Sequence, residues 1–253
     1  MGVAERRQRE KEQRRITILR AAEDVFVRRG VAETTMDDIA RAAEVSKGTL
    51  YLYFKSKDDL YLTIATDAVS ELLDALHSVP ESANGFEHAE SLLKAYANFA
   101  VQHRSRFRLG ISWLFSGYSV PEQSEAFAQY RETIGNLFSH VASTVERGKA
   151  DGSIRSDLDT AQLIVQLWAG TVGVLTVHMS SAEVARRIPR ELFGESATAG
   201  GAIPLFPAAL EFKGLVMSFI DSLLRCIHRE AAPGASVDII PEEEQLAEVA
   251  VQS

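Results

Sequence analysis

The segment TMDDIARAAEVSKGTLYLYFKSK, residues 35–57, predicts two short helices joined by a tight turn and followed by the start of a third helix. Thr35 and Asp38 have the spacing of a reciprocal helix cap, in which each side chain bonds the backbone N–H of the other residue. Ser46 is the expected N-cap of the second helix, which runs from residue 47 to about residue 54. Apolar residues at helical spacing give the first helix one buried face, made of Met36, Ile39, Ala40 and Ala43.

The second helix presents a polar and aromatic surface that suits contact with DNA. Leu50 and Phe54 stand four residues apart and are expected to face the core. Gly48 leaves space where a backbone would approach DNA closely, and the helix N-terminus attracts phosphate. Groups able to bond base edges or phosphates come from Lys47, Thr49, Tyr51 and Tyr53, with Lys55 and Lys57 just beyond the helix. An ordinary helical hairpin with a solvated face fits the same residues equally well.

Helical periodicity continues along the chain and predicts an all-α fold, since no segment shows the alternation of a strand. Gly30 is expected to end the first helix as a left-handed cap, and Ser56 to begin a long helix that belongs to both halves of the protein. Residues 180–207 predict a long loop, with a short helix as an option at 182–188, and the acidic residues 231–253 predict a disordered tail. The predicted helices cover residues 5–29, 57–77, 87–103, 105–118, 122–150, 159–179 and 207–229.

The composition is that of a globular protein. The chain has 253 residues, and the 46% that are hydrophobic can build a sizeable core. A single cysteine, Cys226, excludes an intramolecular disulfide and suits a reducing compartment. No stretch has the pattern of a signal peptide or of a membrane-spanning helix, so we expect a cytoplasmic protein without a membrane partner.

The net charge of −8 is unevenly distributed. Residues 1–60 hold 13 basic and 11 acidic residues, whereas residues 61–253 hold 14 and 24. The first 20 residues hold 7 basic and 3 acidic residues, which favours an anionic partner near this end. Residues 1–11 form a basic N-terminal arm, and two interpretations stay open: a solvated helix end, or an arm that contacts phosphate or the minor groove.

The motifs of catalysis are missing from the sequence. It has no G-x-S-x-G nucleophile motif, no phosphate-binding G-x-x-x-x-G-K-[ST] loop and no H-E-x-x-H metal motif. The six histidines include no pair three or four residues apart. We therefore expect no enzyme activity, no metal site and no cofactor.

Residues 12–72 closely resemble the DNA-binding domain of the TetR/AcrR family of bacterial regulators. The resemblance rests on ILRAAEDVFVRRG in the first helix and on TTMDDIARAAEVSKGTLYLYFKSKDDLY after it. It implies a helix-turn-helix at residues 35–54 with its recognition helix at 46–53. Carried over by position, Thr35 and Lys57 correspond to phosphate contacts, and the recognition-helix contacts correspond to Ser46, Lys47, Gly48, Thr49, Tyr51 and Tyr53.

The same resemblance implies an all-helical domain at residues 80–230 that binds a small-molecule effector and forms a homodimer. Residues 159–179 and 208–228 are the expected dimer helices. Apolar helix faces such as theirs also pack within the core of a single chain, so this second interpretation stays open. The implied function is a repressor that leaves a near-palindromic double-stranded operator when it binds its effector. Two alternatives stay open: a regulator whose DNA binding is strengthened by ligand, and a helical ligand-binding protein that no longer binds DNA.

Aromatic residues of the second half suggest where an effector would bind. A mostly apolar lining favours a hydrophobic effector, but an aromatic residue at helical spacing is more often plain core. The candidate pocket residues are Phe99, His103, Phe107, Trp113, Phe115, Tyr118, Phe138 and Trp168.

Overall fold

The computed structural model of the protein describes residues 2–115, 124–179 and 212–228. Within these ranges the chain is helical, and the predicted all-α fold is confirmed. The only strand-like pairing of the described residues is an isolated bridge between Ile154 and His228. The helices are α1 (Val3–Arg29), α2 (Met36–Ala42), α3 (Lys47–Tyr53), α4 (Lys57–His77), α5 (Gly85–Gln102), α6 (Arg104–Phe115), α7 (Glu125–Asp151), α8 (Thr160–Met179) and α9 (Phe212–Ile227).

Side-chain caps set where several helices begin. The predicted caps Thr35, Ser46 and Ser56 are confirmed, because each side chain accepts a hydrogen bond from the backbone N–H three residues later. Two caps were not predicted. Asn84 starts α5 two residues earlier than expected, and Ser124 delays α7 to residue 125.

Two features of α1 differ from the expectation. Gly30 has the positive φ that favours glycine, 82°, but its ψ of 156° lies outside the left-handed helical region. The predicted left-handed cap is therefore wrong in ψ. In addition, α1 already begins at Val3, so residues 3–11 of the predicted arm are the first turns of a continuous helix.

The first four helices and α6 share one apolar core. Phe26 of α1, Ile39 of α2 and Leu50 of α3 are almost fully buried in it. Tyr61 of α4 is fully buried and meets the ring of Phe26 edge to face, with 5.8 Å between the ring centroids. Leu109 of α6 belongs to the same cluster, so the second half of the chain completes the core of the first.

A second core joins α4 to α5, α7, α8 and α9. Its fully buried side chains include Ile154, Leu175 and Ile220. Gly85 at the start of α5 lies against the backbone of Gly148 in α7, where a β-carbon would clash. The two helices can therefore cross closely at this point. Because Leu72 and Leu76 lie in this core and Leu60 in the first, α4 is common to both.

Several predictions fall outside the described residues. They are residues 116–118 of the predicted helix 105–118, the 180–207 loop, residues 208–211 of the second dimer helix and the 231–253 tail. None of the described helices is long and apolar enough to cross a membrane.

Candidate functional site

The helix-turn-helix is built by the turn between α2 and α3. Glu44 adopts a positive φ of 53°, and the N–H of Val45 returns to the carbonyl of Ala40 at 3.0 Å. Ser46 then caps α3 by accepting a hydrogen bond from the N–H of Thr49 at 3.0 Å. These bonds leave α3 as a short, firmly started helix with its outer face on the protein surface.

The outer face of α3 carries large side chains. Leu50 is fully buried, whereas Tyr51 is 45% exposed and Leu52 is 81% exposed. Leu52 was not predicted as a site residue. The signal was available, because Leu50 and Phe54 fix the inward face and Leu52 lies about 200° around the helix from Leu50. Together with Gly48, the residues Tyr51 and Leu52 form what we call the outer face of α3.

None of the described residues requires glycine at position 48. Its φ is not positive, and a β-carbon there would meet only Ser46 Oγ, at 3.8 Å. Glycine costs up to about 1 kcal/mol relative to alanine in a helix. The residue therefore weakens α3 without a packing gain among the described residues, as expected for a surface that another molecule approaches closely.

Lys47 and Thr49 flank this outer face. The ammonium of Lys47 lies 2.8 Å from Oδ1 of Asp37 in α2, and this bond raises the pKa of Lys47. Both side chains are more than half exposed, so the pair adds little stability. The hydroxyl of Thr49 lies 2.8 Å from Ser46 Oγ.

Thr35 is occupied by its cap. Its hydroxyl donates to Oδ2 of Asp38 at 2.6 Å and accepts from the N–H of Asp38 at 3.2 Å. Hydrogen bonds from the Thr35 side chain and backbone, helped by the charges of Arg29 and Arg41, lower the pKa of Asp38. A phosphate contact from the Thr35 hydroxyl would compete with this bond, so the predicted role stays a prediction.

Lys57 is also engaged within the chain. Its ammonium donates to the carbonyls of Val31 and Ala32, at 2.8 Å and 3.1 Å, and so fastens the turn after α1 to the start of α4. An ammonium has three donors, so one is left for a phosphate. Tyr53, also predicted as a contact, is half-buried and packs against the first core.

Two polar links connect the first core to α6. The hydroxyl of the buried Tyr61 donates to the carbonyl of Leu109 at 2.6 Å. Arg106 of α6 pairs with Glu23 of α1 at 3.2 Å and also with Glu71 of α4. These bonds attach α6 to α1 and α4, which pack around the helix-turn-helix.

An apolar cavity of about 80 Å³ lies in the second core, between α4, α5, α7 and α8. Phe138 and Trp168, two of the candidate pocket residues, line it. Phe99 and Phe107 are buried in the second core without lining this cavity, and His103 is an exposed residue at the end of α5. The side chains of Trp113 and Phe115, and all of Tyr118, lie outside the described structure. The full lining is Leu76, Ala89, Leu92, Leu93, Tyr96, Leu137, Phe138, Val141, Val145, Ile164, Leu167, Trp168 and Thr171.

Tyr96 supplies the polar group of this cavity. Its buried hydroxyl has no hydrogen-bond partner of good geometry among the described residues, although the indole of Trp168 approaches it. Burial raises the pKa of Tyr96, so the hydroxyl stays protonated as a neutral donor. The other lining hydroxyl, of Thr171, is satisfied by the carbonyl of Leu167 at 2.7 Å. Sequence reasoning missed Tyr96, which looked like one more aromatic residue of a helix.

The structure gathers three of the scattered histidines beside the second core. The rings of His77 and His140 meet at 4.4 Å, and His88 lies near enough to influence the charge of His140. His88 is buried, and its Nδ1 has no partner among the described residues. In the part of the chain that the structure describes, no three metal-ligating side chains are arranged to hold an ion.

Comparison with known proteins assigns the fold and the helix-turn-helix. Residues 18–64 match the family of bacterial regulatory proteins named tetR. The chain is 40% identical over 181 residues to the regulator TtgR of Pseudomonas putida, covering 67% of this chain and 82% of TtgR. It is 32% identical over 100 residues to the activator FasR of Mycolicibacterium smegmatis, covering 39% of this chain and 46% of FasR.

A solved structure has a similar fold over most of its length. The crystal structure of FadR from Bacillus subtilis, in complex with stearoyl-CoA, superimposes with a TM-score of 0.58 over 83% of this chain and 96% of that chain, at 16% identity. The outer face of α3 thus occurs in a fold and a sequence family of DNA-binding transcriptional regulators. The chain belongs to the tetR family of bacterial regulatory proteins.

Proposed function

We propose that the protein is a homodimeric repressor that binds a near-palindromic operator and is released by a small, uncharged, apolar effector. The observation that carries the DNA-binding part is the outer face of α3. It combines an unneeded glycine with two large exposed side chains beside a capped helix N-terminus. A bacterial regulator of this kind acts in the cytoplasm.

The outer face of α3 fits the major groove. Tyr51 and Thr49 offer hydroxyls to base edges, and Gly48 lets the backbone come close to them. Leu52 offers methyl groups, which match the C5-methyl of thymine. Lys47 keeps two donors beyond its bond to Asp37, and Tyr53 and Lys57 lie at the rim, so these three side chains are the proposed phosphate contacts.

The exposed face of α8 supports a homodimer. Val165 is 50% exposed, and Ala169 and Gly173 follow it on the same face at spacings of four residues. A β-carbon at Gly173 would meet no atom of the described residues within 4 Å, so a second helix has room to approach. Two copies of α8 and α9 would form a four-helix bundle. The two recognition helices would then read half-sites about 34–36 Å apart.

The cavity and α4 support effector control. Leu76 near the end of α4 lines the cavity, while the start of α4 follows α3 directly. An effector that moves this end of α4 would change the distance between the two recognition helices of the dimer. An effector that moves α6 would do the same through the hydrogen bond between Tyr61 and Leu109. The effector must bind the DNA-free geometry better for release to occur.

A selection of binding sites from random duplexes, followed by fluorescence anisotropy on the selected operator, tests the DNA-binding part. We expect tight, salt-dependent binding by the dimer, and a large loss in Lys47→Ala/Tyr51→Ala with an unchanged melting temperature. Gln129→Ala/Arg131→Ala, at two exposed positions of α7, serves as a control outside α3 and should bind as the wild type does. Selection of no sequence, or full binding by the α3 variant, would contradict the proposal.

A separate experiment tests whether the effector weakens or strengthens DNA binding. FasR, which the chain resembles over 100 residues, is an activator by name, so ligand-strengthened DNA binding is the second candidate. Anisotropy with and without an apolar compound that raises the melting temperature separates the two. A lower operator affinity with the compound supports release, and a higher affinity supports the second candidate.

A further inference from the structure

The first turns of α1 extend beyond the folded core as an exposed basic helix. Residues 4–14 are all exposed, and the first fully buried side chain of α1 is Ile18. Val3 and Arg15 are 12 residues apart, so the extension is about 18 Å long at 1.5 Å per residue.

The acidic residues of this extension are all engaged locally. Glu5 accepts a hydrogen bond from the N–H of Gly2 at 3.1 Å. Glu10 pairs with Arg6 at 2.8 Å, and Glu12 lies 3.8 Å from Arg15. None of the described carboxylates forms an ion pair with the remaining cations, Arg7, Arg9, Lys11 and Arg14.

Three of these cations form a stripe, which we call the cationic stripe: Arg7, Lys11 and Arg14. Their spacing of four and three residues places them on one side of the helix, and Ile18, four residues further, continues that side. At Ile18 this side of α1 is buried against the helix-turn-helix. Closer to the N-terminus the same side is a basic surface that no described residue covers.

The stripe lies next to the recognition helix. The guanidinium of Arg15 stands over the ring of Phe54, the residue that ends α3, at 5.7 Å from the ring centroid. The extension therefore starts at the C-terminal end of α3. Arg7 and Arg14 are about 10 Å apart along the helix. The three cations have long, flexible side chains, so they can reach neighbouring phosphates of one strand, each of which carries one negative charge.

We propose that the cationic stripe is a second DNA-binding surface, which holds backbone phosphates beside the base contacts of α3. The proposal rests on the DNA-binding function proposed above and adds a sequence-independent contact to it. Phosphate is the fitting partner because the stripe has excess positive charge, no apolar side chain and continuity with α3.

The test compares salt dependence in the full-length protein. R7Q/K11Q/R14Q removes the stripe, and R6Q/R9Q/R131Q removes three exposed cations that lie off it. Glutamine has nearly the helix propensity of arginine and lysine, so both variants should keep the wild-type helicity and melting temperature. Each protein is titrated onto the selected operator and onto a scrambled duplex of equal length, between about 50 and 200 mM salt.

We expect the stripe variant to lose about 2.7 from the slope of log K against log salt per bound protomer, at about 0.9 per phosphate. The loss should be equal on both duplexes, because phosphate contacts carry no sequence information. The off-stripe variant should keep the wild-type slope. An unchanged slope in the stripe variant, or equal losses in both variants, would overturn the proposal.

The result also separates this proposal from the function on which it rests. Wild-type protein that binds both duplexes equally, with a slope that depends on the stripe, would overturn operator recognition and support the stripe. Sequence-specific binding with the same salt slope in the wild type and in the stripe variant would support operator recognition and overturn the stripe. Wild-type protein that binds neither duplex would overturn both.

Discussion

The hydroxyl of Tyr61 donates to the carbonyl of Leu109 at 2.6 Å, and both residues are buried in the core of the helix-turn-helix. Tyr61 is on α4, directly after the recognition helix, whereas Leu109 is on α6 in the second half of the chain. The bond therefore joins the helix that follows the recognition helix to α6 through a buried site. Breaking it leaves a buried carbonyl with one bond fewer.

Tyr61→Phe should separate stability from regulation. We expect the free energy of unfolding to fall by about 1 kcal/mol, the usual effect of losing one buried hydrogen bond. The operator affinity without effector should change little, while the factor by which effector weakens binding should shrink. Urea unfolding and anisotropy with and without effector measure the two effects.

Tyr130→Phe is the matched control for that prediction. Its hydroxyl donates to the neighbouring carbonyl, of Gly110, at 3.2 Å, but it comes from α7 and not from α4. It should cost similar stability and leave the effector response nearer to wild type. Equal loss of response in both variants would show that the α4 link has no special role.

Gly48→Ala should stabilise the protein and weaken DNA binding. Alanine favours the helix by up to about 1 kcal/mol, and the structure has space for the β-carbon. The same methyl group would intrude where the backbone approaches DNA. Gly135→Ala in α7, another exposed glycine with space for a β-carbon, should raise the melting temperature alone. Operator binding by Gly48→Ala at wild-type strength would rule out close approach at this residue.

Leu52 should read thymine methyl groups. Replacing thymine by uracil, one position at a time in the selected operator, removes only the C5-methyl. We expect one thymine per half-site whose replacement weakens binding about fourfold, from about 0.8 kcal/mol per buried methyl-sized group. Leu52→Ala should lose this sensitivity. If the two proteins respond alike to every replacement, Leu52 does not contact a methyl group.

Tyr96 should select effectors with a hydrogen-bond acceptor. Acetophenone and ethylbenzene are similar in size, and only the ketone can accept a bond from the Tyr96 hydroxyl. Wild-type protein should prefer the ketone by roughly fivefold, for a net gain of about 1 kcal/mol. Tyr96→Phe should bind both alike in isothermal titration calorimetry. A ketone preference that survives the substitution would place the acceptor elsewhere.

His140 should make the protein less stable in mild acid. Burial, followed by the charges of His77 and His88, lowers its pKa below the usual 6.5, and Glu81 opposes this weakly. Between the folded pKa of His140 and 6.5, the unfolded chain binds more protons than the folded chain. The contribution of His140 to the free energy of unfolding is therefore complete above pH 6.5 and is lost as the pH falls below that value. His140→Gln should make the melting temperature depend less on pH between about pH 7.5 and 5.5. His103→Gln, at an exposed histidine, is the control, and parallel curves for both variants would contradict the prediction.

The sequence predicted the helix-turn-helix well because its signals are local. A cap such as Thr35 or Ser46 acts within three residues, and Leu50 with Phe54 fixes which side of α3 faces the core. Those same two residues determine that Leu52 points outward, so the local pattern also identifies Leu52 as a surface residue of α3.

The cavity was predicted less well because it depends on contacts between distant segments. Phe99 and Phe138 look alike in the sequence, yet only Phe138 lines the cavity, since the crossing of α5 and α7 at Gly85 and Gly148 decides which faces meet. The occupation of Lys57 by two carbonyls 25 and 26 residues away is likewise invisible in a local pattern. Hydrogen bonds across the fold must be known before a lysine can be assigned to phosphate.

The shared helix α4 has a consequence for dissecting the protein. A fragment ending at residue 72, the predicted end of the DNA-binding domain, would keep Leu60 and Ile64 in place. It would also expose Leu62, Val69 and Leu72, which are almost completely buried in the intact chain. In addition, it would lack Leu109, which belongs to the first core. Such a fragment should aggregate when expressed alone, and calorimetry of the whole chain should give one melting peak instead of two.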